Sequence, residues 1–476
     1  MQCSPALIRL KTSYKRVLAD TLTPVSIYLK LRDTYANAVL LESADYHGNE
    51  NSYSYIGCSP LASIALHGSQ VQTRWPDGTQ EVSTLAADGL AIAIKAFAGS
   101  FVMDAELSFP FASSGLFGYM AYDSLAWLGG PKLDQQKPGL EQVATMHYQV
   151  CGIVIVMNHF KNEMFIFHHQ TADDDSPDLL TAIEAQINNG TAPQYTFGVT
   201  GPEQSNVTDE AFMRALTVAK NHCQLGNVFQ MVVSRPFSTP FYGDDFNVYR
   251  ALRSINPSPY LFYFDYGNYK IFGSSPETQI LIKDGKATIF PIAGTYRRTG
   301  HDATDAELAQ KLHNDPKENA EHVMLVDLAR NDLSRNSRHV ALETFKEIQF
   351  YSHVIHLVSK VTGALEPGVN TLQLVADTFP AGTLSGAPKY KAIQLIDALE
   401  PDRRTYYGGC IGIMDFKGNF NHAIIIRSFL SQNQVLHYRA GAGVVAKSSP
   451  EGEMQEVHTK LSALREAIAL AATLAP

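Results

Sequence analysis

The sequence predicts a mixed α/β fold in which most strands run antiparallel. Short apolar runs are separated by tight turn signals such as Asp284 and Gly285, which are typical of β-hairpins. Other segments start with a capping residue and continue with apolar residues at helical spacing, as after Thr208. Residues 407–445 hold three successive strand-like runs ahead of a final helix, which indicates an antiparallel meander.

Composition indicates a large globular protein. With 476 residues, 45% of them hydrophobic, the chain can form more than one lobe around an ample core. A net charge of −9 without Lys/Arg-rich runs argues against a nucleic-acid partner. No apolar run reaches membrane length and no signal-peptide core follows the start, so we expect no membrane partner and a cytoplasmic location. The five cysteines lack CxxC spacing, which predicts reduced thiols.

The first part of the chain is predicted to be rich in strands. The predicted strands are residues 38–42, 53–56, 62–67, 146–157 and 163–169, with a hairpin turn at residues 76–78 and helices over residues 85–97 and 177–189. His168 and His169 are expected on the strand surface. The polar stretch 191–207 is predicted to be a linker.

The second part is predicted to mix helices and hairpins. The predicted elements are a helix after Thr208, a strand over residues 228–237, hairpin turns at residues 267–268 and 284–285, a strand at 353–361 and a helix at 372–378. Thr304 and Glu307 form a capping-box pattern, which predicts that a helix starts there.

A further helix is predicted after Asp315. Asp315 can accept hydrogen bonds from free N–H groups, and Pro316 suits the first helical position because its missing donor is not needed there. Ala320, Met324 and Leu328 then form the expected apolar stripe.

Two pairs of glutamates are spaced three residues apart. Glu318 and Glu321 share one face of the helix after Asp315, and Glu453 and Glu456 share one face of the last helix. Carboxylate oxygens suit Mg²⁺, and two such faces could hold one ion. Glutamates at this spacing more commonly line a solvated face, and Glu318 could instead complete a capping box.

Three other features are ambiguous from the residues alone. Residues 382–389 resemble a phosphate loop but lack its spacing, so we interpret them as a tight loop whose N–H groups lead into a helix and meet a carboxylate. His356 and Arg427 lie in apolar strands. The ordinary interpretations are a core histidine and an ion-paired arginine.

Several segments taken together closely resemble component I of anthranilate synthase, a family of chorismate-utilising enzymes. They are PIAGT ending at Thr295, ENAEHVMLVDLARNDL from Glu318, GTLSGAPK from Gly382, IIIRS from Ile424, GAGV from Gly441 and the two paired-glutamate helices. The resemblance implies a two-lobed sandwich of sheets with helices between them. It implies an N-terminal regulatory lobe over residues 1–190, interleaved with a catalytic lobe over residues 208–476 that follows the 191–207 linker.

The resemblance also implies site residues. It implies Mg²⁺ held by Glu321 and Glu456, with Glu318 and Glu453 acting mainly through water. The implied substrate-binding residues are Arg427, Tyr407, Gly294, Gly441, Gly443 and Gln230, and the implied catalytic residues are His356, Thr295, Glu277 and Lys460. Within this set, Arg427 is expected to bind the enolpyruvyl carboxylate and His356 to serve the loss of pyruvate.

Two positions distinguish the activities found in this family. Enzymes that make aminodeoxychorismate typically have a nucleophilic lysine at the position of Ala293, and those that add water have a lysine base at the position of Gln230. Alanine cannot attack and a glutamine amide is a poor base, so ammonia and anthranilate are expected. The alternatives are component I of aminodeoxychorismate synthase and a non-catalytic sensor of chorismate or an amino acid.

A partner and an effector are expected as well. The cysteines lack a Gly-x-Cys-x-Gly nucleophile elbow, so a separate glutamine amidotransferase subunit, component II, is implied. Residues 40–43 and 256–260 resemble the feedback segments of the family, which implies inhibition by tryptophan. The implied effector residues are Glu42, Ser43, Pro257, Ser258 and Tyr260.

Overall fold

The computed structural model describes residues 7–43, 52–104, 108–351, 354–366 and 368–474. The strands of the N-terminal part are β1 (Ile8–Leu18), β2 (Val39–Glu42), β3 (Tyr53–His67), β4 (Gln70–Arg74), β5 (Gln80–Thr84), β6 (Phe101–Met103), β7 (Leu116–Met120), β8 (Met146–Asn158), β9 (Glu163–Thr171) and β10 (Phe197–Val199). The helices of this part are α1 (Pro24–Leu31), α2 (Leu90–Gly99) and α3 (Leu180–Asn189), with a 3₁₀ turn at Tyr122–Trp127.

The C-terminal part alternates strands and helices. Its strands are β11 (Gln230–Gly243), β12 (Tyr260–Asp265), β13 (Tyr269–Ser275), β14 (Thr278–Lys283), β15 (Lys286–Ile289), β16 (Ile292–Arg297), β17 (Ser337–Phe350), β18 (Val354–Leu365), β19 (Gly386–Ala387), β20 (Cys410–Met414), β21 (Phe420–Ile424), β22 (Ser428–Gln432) and β23 (Val435–Val445). Its helices are α4 (Asp209–Gln224), α5 (Phe246–Ile255), α6 (Asp302–Asn314), α7 (Pro316–Ser334), α8 (Thr371–Thr378), α9 (Lys389–Leu399) and α10 (Pro450–Ala471), with a 3₁₀ turn at Gly382–Leu384.

Two runs of hydrogen-bonded strands extend from β8. One run passes through β3, β2, β12, β13, β22 and β23 to β11. The other passes through β7, β20, β21, β14 and β15 to β18. Within the described ranges only β1 and β6 pair in parallel. The prediction of a mixed α/β, largely antiparallel fold is confirmed.

The N-terminal and C-terminal parts share sheets. Glu42 of β2 lies opposite Leu261 of β12, and Gly118 of β7 lies opposite Gly412 of β20. A Cβ built on Gly118 would lie 2.1 Å from the carbonyl oxygen of His147, so this close approach of β7 to β8 requires glycine. The two parts of the chain are therefore joined by backbone hydrogen bonds.

The core consists of large apolar clusters on different faces of these strands. One joins α1, α4, α5 and α10 to β11 and β23, and a second joins α2, α7 and α8 to β14 and β18. A third cluster contains strand and loop residues such as Phe117, Phe262 and Ile411. Leu461, Leu464 and Ile468 of α10 are buried, as their spacing predicted. No helix among the described residues is long and apolar enough to cross a membrane.

The start of α7 is as predicted, but its buried face is not. Asp315 Oδ1 accepts hydrogen bonds from the N–H groups of Lys317 (2.9 Å) and Glu318 (3.2 Å). The buried side chains are His322, Leu325, Val326, Ala329, Asp332 and Leu333, whereas the expected stripe residues Ala320, Met324 and Leu328 are exposed or half-buried. The prediction of that stripe was wrong because α7 packs against β16, β17, β18 and α8 with a different face, whose residues also follow helical spacing.

Two further predictions were wrong, and the stretch predicted to be a linker includes a short strand. The helix expected to start at Thr304 begins at Asp302, because Asp305 instead accepts hydrogen bonds from Arg298 and Thr299. His168 and His169 are buried, 6% and 1% exposed, in β9 between β8 and β1. The stretch 191–207 contains β10, which pairs with β11.

Candidate active site

The two predicted acidic pairs lie in the first two turns of α7 and α10. Ser449 Oγ caps α10 by accepting a hydrogen bond from Gly452 N–H at 3.0 Å, as Asp315 caps α7. Both helices therefore have a capped first turn next to their glutamates. Glu318, Glu321 and Glu453 are half-buried and Glu456 is exposed.

These carboxylates repel one another. Burial and the neighbouring charge of Glu321 raise the pKa of Glu318, and Glu456 contributes in the same direction. Burial raises the pKa of Glu453, and Glu456 again adds to the effect. Glu453 Oε2 is buried without a hydrogen-bond partner in the described part of the chain. The acidic pairs thus form one cluster with excess negative charge.

The cluster suits a hard cation that keeps part of its water shell. No group of three or more His, Cys, Asp or Glu side chains in the described ranges is arranged to hold a metal ion by itself. Mg²⁺ typically uses one or two protein carboxylates and takes its other oxygens from water and substrate. The unpartnered oxygen of Glu453 and the all-oxygen donor set fit such an open site.

Gln230 and Lys460 border the acidic cluster. Gln230 Nε2 donates to Glu321 Oε1 at 3.3 Å, and a Cβ built on Gly443 would lie 2.7 Å from the same nitrogen. Lys460 Nζ pairs with Glu456 Oε1 at 2.6 Å and donates to the carbonyl oxygen of Gly441 at 2.9 Å. The end of β23 and the two acidic helices therefore meet here.

His356 in β18 faces the strand that carries Gly294 and Thr295. Its Nδ1 lies 2.9 Å from the carbonyl oxygen of Gly294, and Thr295 is its register partner. Gly294 has φ +70°, and a Cβ built on it would lie 3.2 Å from Glu318 Oε2. Burial lowers the pKa of His356, and the charge of Arg427 lowers it further. His356 is therefore a neutral imidazole near the acidic cluster.

Arg427 supplies a cation within electrostatic reach of Glu277 and Glu456. Its backbone is left-handed, with φ +49°, and within the described ranges its guanidinium has neither a hydrogen bond nor an ion pair to protein. Burial lowers the pKa of Arg427, whereas Tyr407, Glu277 and Glu456 lie close enough to raise it. A partly buried guanidinium without a protein carboxylate is suited to an anionic ligand.

Glu277 lies beside Arg427 and Lys460. Burial raises its pKa to about 7, although a hydrogen bond from Thr383 and the charges of Lys460 and Arg427 oppose the shift. The Thr383 hydroxyl donates to Glu277 Oε1 at 2.7 Å. Glu277 can thus exchange a proton near neutral pH.

Thr383 belongs to the 382–389 loop, which leads into α9 as predicted. Gly386 and Ala387 form β19, which pairs with Gln230 and Met231 of β11. Contact with a carboxylate is made by the Thr383 side chain. Sequence reasoning had considered only the backbone N–H groups of this loop, so Thr383 was missed.

The predicted effector segments are neighbours in the fold. Glu42 of β2 pairs in register with Leu261 of β12, next to Tyr260. The Glu42 carboxylate is buried and accepts hydrogen bonds from Tyr249 (2.6 Å) and Arg253 (2.9 Å). Ser258 is buried, whereas Ser43 and Pro257 are half-buried.

Comparison with known proteins settles the family. Residues 37–466 match the model of a family described as chorismate binding enzyme, which covers most of the chain. The chain belongs to the chorismate-binding enzyme family.

Relatives within this family are named anthranilate synthase component 1. The protein of that name from Aquifex aeolicus is 34% identical, with 96% of this chain and 94% of the relative covered. The one from Bacillus subtilis is 36% identical, with 95% and 91% covered. These relatives confirm the resemblance to component I and establish the chain as a chorismate-utilising enzyme.

Solved structures agree with the fold. The crystal structure of anthranilate synthase component I from Streptococcus pneumoniae has a TM-score of 0.75 at 28% identity, covering 95% of this chain and 99% of that one. The menaquinone-specific isochorismate synthase of Escherichia coli has a TM-score of 0.73 at 17% identity, covering 98% and 96%, which supports the fold alone. Chorismate-binding enzymes with different names thus share this architecture.

Proposed function

We propose that this enzyme converts chorismate and ammonia to anthranilate, pyruvate and water, with Mg²⁺ bound at the acidic cluster. The observation that carries the proposal is that the unpaired Arg427 guanidinium lies within electrostatic reach of Glu456, which belongs to the cluster of four glutamates on two helix starts. Chorismate is a dianion. Its two carboxylates need one positive group each, and Arg427 by itself supplies only one of them.

The acidic cluster would act through a bound cation. Glu321 and Glu456 would hold Mg²⁺ directly, and Glu318 and Glu453 through water. A bound Mg²⁺ would supply positive charge against the ring carboxylate and the departing ring hydroxyl. Without a cation, four glutamates would repel that carboxylate. Lys460 is placed to hold Glu456 in position, because its Nζ bonds both Glu456 and the carbonyl of Gly441.

Arg427 binds the enolpyruvyl carboxylate. Its planar fork can donate two parallel hydrogen bonds to a carboxylate, and no protein anion in the described ranges takes them. Tyr407 is buried beside it, and we assign the backbone N–H groups of Gly441 and Gly443 in β23 to the same carboxylate. Because burial strengthens an unscreened charge pair, this contact orients the substrate as well as binding it.

His356 and Glu277 move protons. The Nδ1–H of His356 donates to the Gly294 carbonyl, so the neutral ring has its lone pair at Nε2, where it can accept a ring proton as pyruvate leaves. Glu277, with its pKa raised to about 7, can give a proton to the departing hydroxyl. The backbone of Thr295 is paired in register with that of His356.

The nucleophile is ammonia. Gln230 donates its amide to Glu321, so it offers no basic nitrogen that could activate water. Ala293 is buried and has no nucleophilic group that could add to the ring. Relatives named component 1 imply a second component, and we assign it to glutamine hydrolysis and ammonia supply. Tryptophan inhibits from the segments around Glu42 and Tyr260.

Product analysis tests the proposal. The isolated chain is incubated with chorismate, Mg²⁺ and ammonium at alkaline pH, and anthranilate is followed by its fluorescence, with pyruvate measured in parallel. Equal amounts of the two products are expected. Accumulation of an aminated product without pyruvate would instead indicate an aminodeoxychorismate-forming enzyme, and chorismate binding without turnover would indicate a sensor.

A further inference from the structure

A buried ion pair lies behind the groups assigned to the substrate. Arg404 and Glu400 are only 2% and 3% exposed, and Glu400 accepts hydrogen bonds from Arg404 Nε at 2.9 Å and Nη2 at 2.7 Å. Because removing two charges from water is costly, such a pair is weak evidence for stability by itself. Its other contacts indicate what else it does.

Arg404 holds the loop that carries Thr383. Its Nη1 donates to the carbonyl oxygen of Leu384 at 2.6 Å. Leu384 directly follows Thr383, whose hydroxyl donates to Glu277. The guanidinium thereby fixes the backbone next to the hydroxyl that orients Glu277.

Arg404 also holds β11. Its Nη2 donates to the carbonyl oxygen of Val232 at 2.6 Å, and Val232 lies opposite Gly443 in the register with β23. Two residues further on, Ser234 lies opposite Gly441. Ser234 donates to Glu400 Oε1 through both its N–H and its hydroxyl, each at 2.8 Å.

The backbone of Arg404 forms a hydrogen bond with a third substrate group, Tyr407. Its carbonyl oxygen accepts a hydrogen bond from Tyr407 N–H at 3.2 Å. Its guanidinium carbon lies 4.6 Å from the centre of the Tyr122 ring, which covers its face. The guanidinium is therefore confined on all sides by protein groups.

We infer that Arg404, bound to Glu400, is a positioning residue that holds Glu277, Gly443 and Tyr407 in one geometry around chorismate. The inference rests on the proposed function, which assigns these three groups to the substrate. Arg404 itself reaches the site only through Leu384, Val232 and Tyr407. Loss of its contacts would move all three groups together.

Arginine is needed at this position because the side chain must donate hydrogen bonds in several fixed directions. Arg404 reaches Glu400, Leu384 and Val232 from three different nitrogens of one rigid plane. A lysine retains the positive charge but has a single nitrogen, so it cannot satisfy acceptors on both sides of the plane. The variant Arg404→Lys therefore keeps the positive charge and loses the hydrogen bonds that three nitrogens make in different directions.

The experiment compares Arg404→Lys with wild type in kcat/KM for chorismate and in the equilibrium dissociation constant of chorismate measured with Mg²⁺ present. We expect kcat/KM to fall about 10- to 100-fold, as for other residues that orient catalytic groups. Chorismate binding should weaken in parallel. A variant within about twofold of wild type in both quantities would overturn the inference.

Arg32→Lys is the matched control. Arg32 is a half-buried arginine that also pairs with a carboxylate, donating to Asp244 at 3.1 Å and 2.6 Å. It ends α1 in the N-terminal part, and no hydrogen bond of its side chain in the described ranges reaches the substrate groups. We expect Arg32→Lys to lower the thermal midpoint while leaving kcat/KM unchanged. An equal loss of kcat/KM in both variants would show a merely structural effect and overturn the inference.

Ser234→Ala covers the case in which Arg404→Lys does not fold. It keeps both charges and removes the hydroxyl that donates to Glu400 and accepts from Arg439 Nε at 2.8 Å. A several-fold fall in kcat/KM is expected, and an unchanged value would overturn the inference. If wild type itself forms no anthranilate, the proposed function fails, and the chorismate dissociation constants of these variants still decide the role of Arg404.

Discussion

His356 Nδ1 and the carbonyl oxygen of Gly294 are 2.9 Å apart, so each fixes the orientation of the other. A carbonyl can only accept, so the proton of the neutral ring lies on Nδ1 and its lone pair on Nε2. Gly294 has φ +70°, a conformation that favours glycine, and this turns its carbonyl towards the ring. Strand β16 thus sets the tautomer of the proposed base in β18.

Replacement of His356 by methionine should slow the loss of pyruvate more than the addition of ammonia. Methionine fills a similar volume but cannot accept a proton, and proton removal belongs to the second step. We therefore expect an aminated, non-aromatic intermediate in the reaction mixture, detected by chromatography. His313→Met, at an exposed position of α6, should behave like wild type. Unchanged anthranilate formation by His356→Met would show that His356 is only a core residue.

Glu321→Gln and Glu456→Gln should each nearly abolish turnover while the chain stays folded. Each change removes one negative charge from the proposed magnesium site with little change in volume. Glu451→Gln is the control, because Glu451 is an exposed glutamate in the first turn of the same helix. Initial rates over a range of Mg²⁺ concentrations and circular dichroism check the prediction. Ordinary activity of either variant at the usual Mg²⁺ concentration contradicts the assignment.

Mg²⁺ should raise the thermal midpoint of the chain without substrate. Burial raises the pKa values of Glu318 and Glu453 and the neighbouring carboxylates raise them further, so a bound cation would relieve repulsion within the cluster. The midpoint should rise with Mg²⁺ concentration in wild type and in Glu451→Gln, and much less in Glu456→Gln. Differential scanning calorimetry checks this independently of activity. Equal shifts in all three proteins would place the bound Mg²⁺ elsewhere.

Glu277→Gln should weaken the pH dependence of stability. Burial raises the pKa of Glu277 from 4.5 to about 7, so between these values the folded chain binds more protons than the unfolded chain. Stability therefore falls as pH rises through this window. Between pH 5 and pH 7.5 the variant should lose less free energy of unfolding than wild type, by an amount on the order of 2 kcal/mol.

Urea denaturation at the two pH values measures this difference. Glu307→Gln, at an exposed position of α6, should follow the wild-type profile. Parallel profiles for wild type and Glu277→Gln would mean that Glu277 is ionised in the fold over the whole range.

Tryptophan should inhibit wild type, and Ser43→Phe should reduce that inhibition by filling the proposed pocket. Tyr260 of this region is linked to the active site, because its hydroxyl accepts a hydrogen bond from Thr278 at 2.9 Å, next to Glu277. Occupancy of the pocket can thereby bias the catalytic geometry. Steady-state rates at several tryptophan concentrations test this. Ser83→Phe, at an exposed position of β5, is the control. Insensitivity of wild type, or competitive inhibition unaffected by Ser43→Phe, would refute the proposal.

Local signals in the sequence were reliable where a few neighbouring residues decide the structure. The cap at Asp315, the helix after Thr208 and the hairpin turn at Asp284 and Gly285 are all found as predicted. Each depends on a side chain bonding the nearby backbone or on a left-handed turn residue, so that distant contacts change little.

Features that depend on residues far apart in the sequence could not be predicted from such local signals. Strand β1 was not predicted, because it is largely exposed and its Lys and Arg residues hide the alternation of apolar and polar residues that marks a strand. In the structure it pairs with β9 and helps to bury His169. The contact between Thr383 and Glu277 joins residues 106 positions apart. The resemblance to a family identified most of the proposed site residues. It did not point to Arg404, which bonds Glu400 and also the backbone carbonyls of two distant segments.

The pairing of β7 with β20 has a consequence for synthesis of the chain. Met120 ends β7 and Cys410 begins β20, and the ribosome needs roughly 15 to 60 s to add the residues between them at about 5 to 20 residues per second. During that interval one edge of an apolar strand has no partner. The nascent chain is then open to mispairing with other chains, so its yield in cells should depend on chaperones and on growth temperature.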